Sequence, residues 1–268
     1  MQPLVSSIWQ HPLPDLTSRI ERCLAPAGMR SRGHGGARIF FRADDIAVPG
    51  SRFAHLLEMF SRHRVPLALA VVPAWLTRPR WLALNKAGKK TASLWCWHQH
   101  GWRHANHERQ GKKQEFGPAR SRVQLERDIR RGRQRLENLM GARFYPIFTP
   151  PWNRCGSDAL QLLRKLGYAA VSRSQANKTP SPPGLPDYFI NVDLHTRKEK
   201  NPAAGWQNLF TELHQAIASN YCGIMIHHRM MNDAAFDFME ILLKTLAKSH
   251  QLHLVDFRDL ADPRTQPG

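Results

Sequence analysis

Short apolar runs alternate with amphipathic stretches along most of this chain, and no other feature limits its possible folds as strongly. The runs that read as strands are 38-RIFFR-42, 67-LALAVVP-73, 93-SLWCWHQ-99, 144-FYPIF-148, 168-YAAVS-172, 222-CGIMIH-227 and 252-LHLVDF-257. Between them lie stretches at 51–64, 121–140, 157–167, 206–219 and 234–250 where apolar residues recur at three and four, the signature of helices with one buried face. Ser157 or Asp158 is placed to cap the helix at 157–167, and Gly167 to end it. Strand and helix in turn imply parallel strands with right-handed crossovers. Seven such strands can close into a barrel or stay an open sheet, and periodicity does not choose between them. In either case a functional site belongs at the C-terminal ends of the strands.

The chain has 268 residues, 42% of them hydrophobic, which suits one sizeable α/β domain rather than two. Residues 1–35 carry Pro3, Pro12, Pro14 and Pro26 and run into the glycine-rich 33-GHGG-36. That composition reads as an N-terminal arm with one short helix near Leu16 to Cys23, followed by the main domain at 36–262. The proline-rich 178-KTPSPPGLPD-187 reads as a stiff surface loop within that domain. Cys23, Cys96, Cys155 and Cys222 are far apart and form no CxxC pair, so neither a disulfide framework nor a zinc-thiolate site is expected. No run approaches the roughly 18 apolar residues of a membrane span, and the N-terminus lacks a charged start with a continuous apolar core, so a cytoplasmic location is expected.

Lys and Arg number 39 against 21 Asp and Glu, a formal net charge of +18, which favours anionic partners. Much of the excess sits in 109-RQGKK-113 and 130-RRGRQR-135, a solvated stretch and a helix face rather than a folded nucleic-acid motif. Nucleic acid is therefore the less favoured partner.

Five places just after apolar strands can carry chemistry. In 42-RADDI-46 two adjacent carboxylates can divide the work of binding a metal and accepting a proton, although such pairs are also common at strand ends. The segment 98-HQHGWRHANH-107 holds four of the chain's 14 histidines, and His100 and His104 are spaced to face one metal ion. In 148-FTPPWNR-154 two prolines fix the backbone beside Trp152 and Arg154, giving a rigid aromatic edge for a sugar ring or a plain core corner. The last two are 191-NVDLH-195 and 226-IHHRMMND-233, where a carboxylate such as Asp193 can keep a histidine charged for proton donation.

In this order the five segments resemble the polysaccharide deacetylase family (NodB-like, carbohydrate esterase family 4), over about residues 38 to 257. The resemblance implies a distorted parallel (β/α) barrel of about seven strands. It implies a divalent metal ion, with zinc expected, on Asp45, His100 and His104. It further implies Asp44 as base and His227 as acid supported by Asp193, with His228 a second candidate for the acid. Trp152, Arg154 and Trp102 would contact an N-acetylated sugar, which the basic surface allows to be anionic or lipid-linked. The activity implied is metal-dependent removal of N-acetyl groups. Rivals are same-fold hydrolysis of O-acetyl esters or other non-peptide C–N bonds, and a non-catalytic protein binding glycan or nucleic acid.

Two departures stand out. The family's first motif usually has glycine where this chain has Ile46, and its third usually has an arginine, pairing with the base, where this chain has Phe148. Arg154 and Arg42 are the candidates to replace that arginine.

Overall fold

A computed structural model describes residues 5–25, 36–177, 179–262 and 264. Eight parallel strands make one sheet: β1 (Ala37–Ile46), β2 (Leu67–Val71), β3 (Trp95–His100), β4 (Phe144–Thr149), β5 (Ala170–Val171), β6 (Val192–Asp193), β7 (Tyr221–Ile226) and β8 (Leu252–Leu254). The spatial order is β5-β4-β3-β2-β1-β7-β6, and β8 pairs with the first residues of β1. The two edges are brought together by the segment 187–193. Tyr188 and Ile190 donate their N–H groups to the carbonyls of Val171 and Arg173, and Asn191 donates to Gly223 on the far side. The ring is thus closed by isolated bridges rather than a full ladder, and the architecture is a distorted parallel (β/α) barrel.

The helices are α1 (Ser7–Gln10), α2 (Leu16–Leu24), α3 (Ser51–His63), α4 (Arg78–Ala87), α5 (Arg122–Met140), α6 (Ser157–Lys165), α7 (Pro202–Ala218), α8 (Asp233–Ala247) and α9 (Phe257–Ala261). Their starts follow local chemistry. Ser121 and Gln124 form a reciprocal capping box on α5, Asn201 caps α7 ahead of Pro202, and Asn232 caps α8. At α6 the cap is Gly156, with no side-chain bond, so neither Ser157 nor Asp158 caps it; Gly167 does leave the helix at φ 69°.

The N-terminal arm holds two helices rather than one. Within α1, Ile8 and Trp9 are fully buried, and Trp9 packs edge-on against Trp206 and tilted against Phe238. The turn is short enough that apolar spacing cannot announce it. Residues 1–4 and 26–35, the rest of that arm, lie outside the described residues. The main core runs between the sheet and α3, α7 and α8, and a smaller cluster around Phe116, Phe148 and Leu163 lies under α5 and α6. Among the described residues no helix is long and apolar enough to cross a membrane.

Candidate metal centre and active site

At the C-terminal end of β1 the pairing with β2 slips: Ala43 faces Leu69, yet Ile46 faces Val71, so one extra residue is accommodated at Asp44 and Asp45. A bulge of this kind re-aims side chains. Asp45 takes φ 61°, a left-handed turn, while Ile46 returns to the strand and is fully buried. The positive φ of the bulge thus falls on an aspartate, a residue that tolerates it, and not on Ile46.

The bulge points Asp45 towards the loop after β3. Its Oδ1 lies 3.3 Å from His100 Nε2 and 3.3 Å from His104 Nε2. All three candidate ligand atoms lie within 4.8 Å of one another. Asp45 Oδ1 is buried and has no hydrogen-bond partner. His100 Nδ1 is 3.0 Å from the Thr149 carbonyl, which can only accept, so Nδ1 carries a proton and Nε2 is the nitrogen turned towards Asp45. Burial, helped by the nearby His100, pushes His104 down to about 4, leaving it neutral at pH 7 with a free lone pair. Two imidazoles and a carboxylate around an orphaned oxygen are a donor set that fits a divalent cation such as zinc.

Several groups that sequence reasoning did not single out hold this loop. Glu115 is fully buried and accepts from the backbone N–H groups of Trp102, Arg103 and His104 at 3.1, 2.7 and 3.2 Å. It fixes the turn that carries His104. Gly101, at φ 57°, leaves no room for a side chain: a Cβ there would stand 2.3 Å from Glu115 Oε2 and 2.6 Å from Pro151. Gln99 reaches the Gly101 carbonyl at 2.9 Å and accepts from the Tyr168 hydroxyl. Four of the seven non-glycine residues with positive φ among the described residues, Asp45, His104, Trp152 and Asn153, gather at this one site. Such strain collects where surrounding structure holds a functional geometry.

Asp44, 3% exposed, is gripped by Arg42 two residues before it on the same strand face, through Nε to Oδ1 at 2.8 Å and Nη2 to Oδ2 at 2.9 Å. The remaining Arg42 hydrogens go to Ser172 and Asn153. Burial opposes the Asp44 anion, but Arg42, with His100 and His227, outweighs it and holds the carboxyl below its usual range. The arginine that pairs with Asp44 is therefore Arg42. Arg154 only reaches the Lys113 carbonyl at 3.4 Å, and Phe148 is a core residue edge-on to Phe116 and Tyr168.

Other expected residues fall in different places. Trp152 lies beside the centre, its ring 4.5 Å from that of His104. Trp102 is packed against the Phe116 cluster, and a tryptophan not anticipated, Trp75, stands 5.7 Å from His104 on the loop after β2. Asp193 makes no hydrogen bond with His227. It accepts from the N–H groups of His195 and Thr196 and from the Thr196 hydroxyl, holding the turn after β6. His195 Nδ1 in turn accepts from the His227 N–H at 3.1 Å. Support for His227 thus comes through that turn and not from a carboxylate in contact. His227 is half-buried, whereas His228 is buried edge-on to Phe53, which pushes it down to about 4.

No protein-family model and no curated protein matches this sequence. Solved structures do. A protein from Mycobacterium smegmatis described as a polysaccharide deacetylase superposes with a TM-score of 0.61 at 13% identity, covering 79% of this chain and 76% of its own. A family 4 acetyl xylan esterase from Clostridium thermocellum, in complex with a cobalt ion, superposes at 0.55 with 12% identity, covering 86% and 93%. The fold is that of polysaccharide deacetylases and carbohydrate esterase family 4. A pseudoenzyme of carbohydrate esterase family 4 from Bacillus anthracis also shares it, at a TM-score of 0.53 and 9% identity over 84% and 66%. At these identities the likeness speaks for the fold, and chemistry has to be argued from the side chains.

Proposed function

We propose that this protein is a metal-dependent hydrolase that removes N-acetyl groups from N-acetylated sugars. The observation that carries this reading is the meeting of Asp45 Oδ1, His100 Nε2 and His104 Nε2 beside an Arg42-held Asp44 on one barrel end.

Asp45, His100 and His104 would hold the cation, zinc being the expected one; when bound, it lowers the pKa of its water and polarises the acyl oxygen. Asp44 stays ionised at neutral pH, and Arg42 fixes its orientation. A carboxyl held so low is a weak base, so its part is to accept a proton from water already acidified, not to activate free water. His227 follows β7 at the same barrel end, and it gives the leaving amine its proton. Buried His228, neutral at pH 7, has none to give. Trp152 supplies the apolar wall for the sugar ring next to His104.

The described acetyl xylan esterase activity of one structural neighbour supports a second reading, cleavage of O-acetyl esters, since the metal site does not choose the leaving group. Acetate release from chito-oligosaccharides, compared with acetylated xylan, separates the two. We expect release from the former by the zinc-loaded protein, lost on chelation and in Asp45→Asn. Release that survives both changes contradicts the proposal.

A further inference from the structure

Among the described residues no hydrogen bond aims the His227 ring from its Nδ1, which is buried without a partner. Its placement therefore depends on the backbone that carries it, and that backbone leaves the sheet abruptly. β6 and β7 pair in parallel through Val192 with Ile224 and Asp193 with Met225. The Leu194 N–H continues the ladder to the Met225 carbonyl at 3.2 Å. In the evenly spaced bonding of parallel strands, the next rung would run from the His227 N–H to the Leu194 carbonyl. That rung is replaced: the His227 N–H goes to the imidazole Nδ1 of His195 at 3.1 Å. Accepting there fixes the neutral His195 ring as the form protonated on Nε2.

The N-terminal arm occupies the acceptor that the missing rung would use. Trp9 Nε1 donates to the Leu194 carbonyl at 2.8 Å, and the Ser6 hydroxyl donates to the next carbonyl, that of His195, at 2.6 Å. The Trp9 ring lies 5.7 Å from that of His195. On the other side of His227, Asn232, which caps α8, donates to the Trp9 carbonyl at 2.8 Å. The arm thus spans both loops that flank His227. α1 is only four residues long and cannot hold itself there as a helix; burial of Ile8 and Trp9 holds it. Gly205 on α7 makes room, since a Cβ at that position would stand 2.5 Å from Ile8 Cγ2. A plain plug over the core would need only these apolar contacts. The polar bonds go instead to the two carbonyls beside His227 and to the cap of the helix that follows it.

We propose that Trp9 and Ser6 are positioning residues for His227: by occupying the Leu194 and His195 carbonyls they end the β6–β7 ladder one rung early and send the His227 N–H to His195. The inference rests on the functional reading above for the task of His227. Trp9 and Ser6 act only through the turn after β6.

The test pairs turnover with nuclear magnetic resonance. In the zinc-loaded protein acting on chito-oligosaccharides, Trp9→Phe keeps an aromatic ring and deletes the indole N–H. It should lower kcat about tenfold or more, with KM and zinc content unchanged. Phe60→Leu, a core truncation near the far end of α3, should cost thermal stability and leave kcat alone. Ser6→Ala should lower kcat in the same direction, and Ser6→Thr, which keeps the hydroxyl, should restore it; this pair serves if Trp9→Phe does not fold. With isotopically labelled nitrogen, a scalar coupling between the His227 amide nitrogen and His195 Nδ1 is expected in the wild type and lost in Trp9→Phe. A folded Trp9→Phe protein that keeps its kcat, or one that keeps the coupling, overturns the proposal. So does an equal loss of kcat in Phe60→Leu. Because the coupling is read without turnover, a wild type that releases no acetate would count against the hydrolase reading. The arm's hold on His227 would then stand or fall on the coupling alone.

Discussion

At the level of single residues the site is organised by who holds each donor. Asp45 and the two histidines were legible from sequence, because a carboxylate pair and an HxxxH both follow apolar strands. Glu115 was not, since nothing in 113-KQEF-116 distinguishes it from a solvated acid; only the fold turns it beneath three backbone N–H groups. Glu115→Ala leaves those three donors without their partner, and loss of such outer support is expected to weaken zinc binding about 10- to 100-fold. Competition with a chromogenic chelator measures it, and unchanged affinity would show that the loop holds itself. The histidines make a second prediction. Burial works to lower His100, but the Asp45 carboxylate facing it and the charge of Asp44 outweigh it and raise its pKa. The metal-free protein therefore keeps a proton on His100 near pH 6.5, the ordinary histidine value, and zinc must expel it. Zinc titrations in buffers of different ionisation enthalpy should show that proton leaving, with the release fading as pH rises past the His100 value.

At the level of elements, the decisive features are a bulge and a turn. The apolar run 38-RIFFR-42 located β1, which continues to Ile46, and the two-residue period of a strand puts Arg42 and Asp44 on one face, so their pairing could be read once the strand was granted. The bulge could not, because it depends on the register against β2. Nor could β6, two residues long with Val192 as its one apolar member, or α4, which buries little beyond Trp81 and Leu84. The loop after β3 makes the sharpest structural prediction: Gly101→Ala places a Cβ against Glu115 and Pro151 at a positive φ. It should lower the thermal midpoint and zinc affinity together, whereas Gly111→Ala, at φ 78° in open space on the same loop, should leave zinc affinity as it is.

For the whole molecule, the buried Arg42–Asp44 pair links the site to stability. Removing one partner of such a pair costs about 3–5 kcal/mol, because the other charge is left uncompensated. Asp44→Asn is therefore expected to fall in that range by urea unfolding at pH 7. Because the Asp44 pKa is depressed in the folded state, its stabilisation is present above the unfolded carboxyl value of about 4 and is lost as pH falls through the folded value. The gap between wild type and variant should narrow in acid, and a gap that widens there would mean the pair does not carry this stability. Strand and helix alternation was enough for a parallel α/β domain, and closure into a barrel needed the bridges around 187–193, which no periodic pattern marks.

All of this turns on whether three side chains, from β1, the last residue of β3 and the loop after it, hold a metal. The direct measurement is metal analysis of the protein after exposure to zinc and exhaustive dialysis, repeated on His100→Ala and His104→Ala with circular dichroism to confirm folding. The account predicts about one zinc per wild-type chain and none retained by either folded variant. A wild-type protein that keeps no metal, or variants that keep as much as wild type, would contradict it.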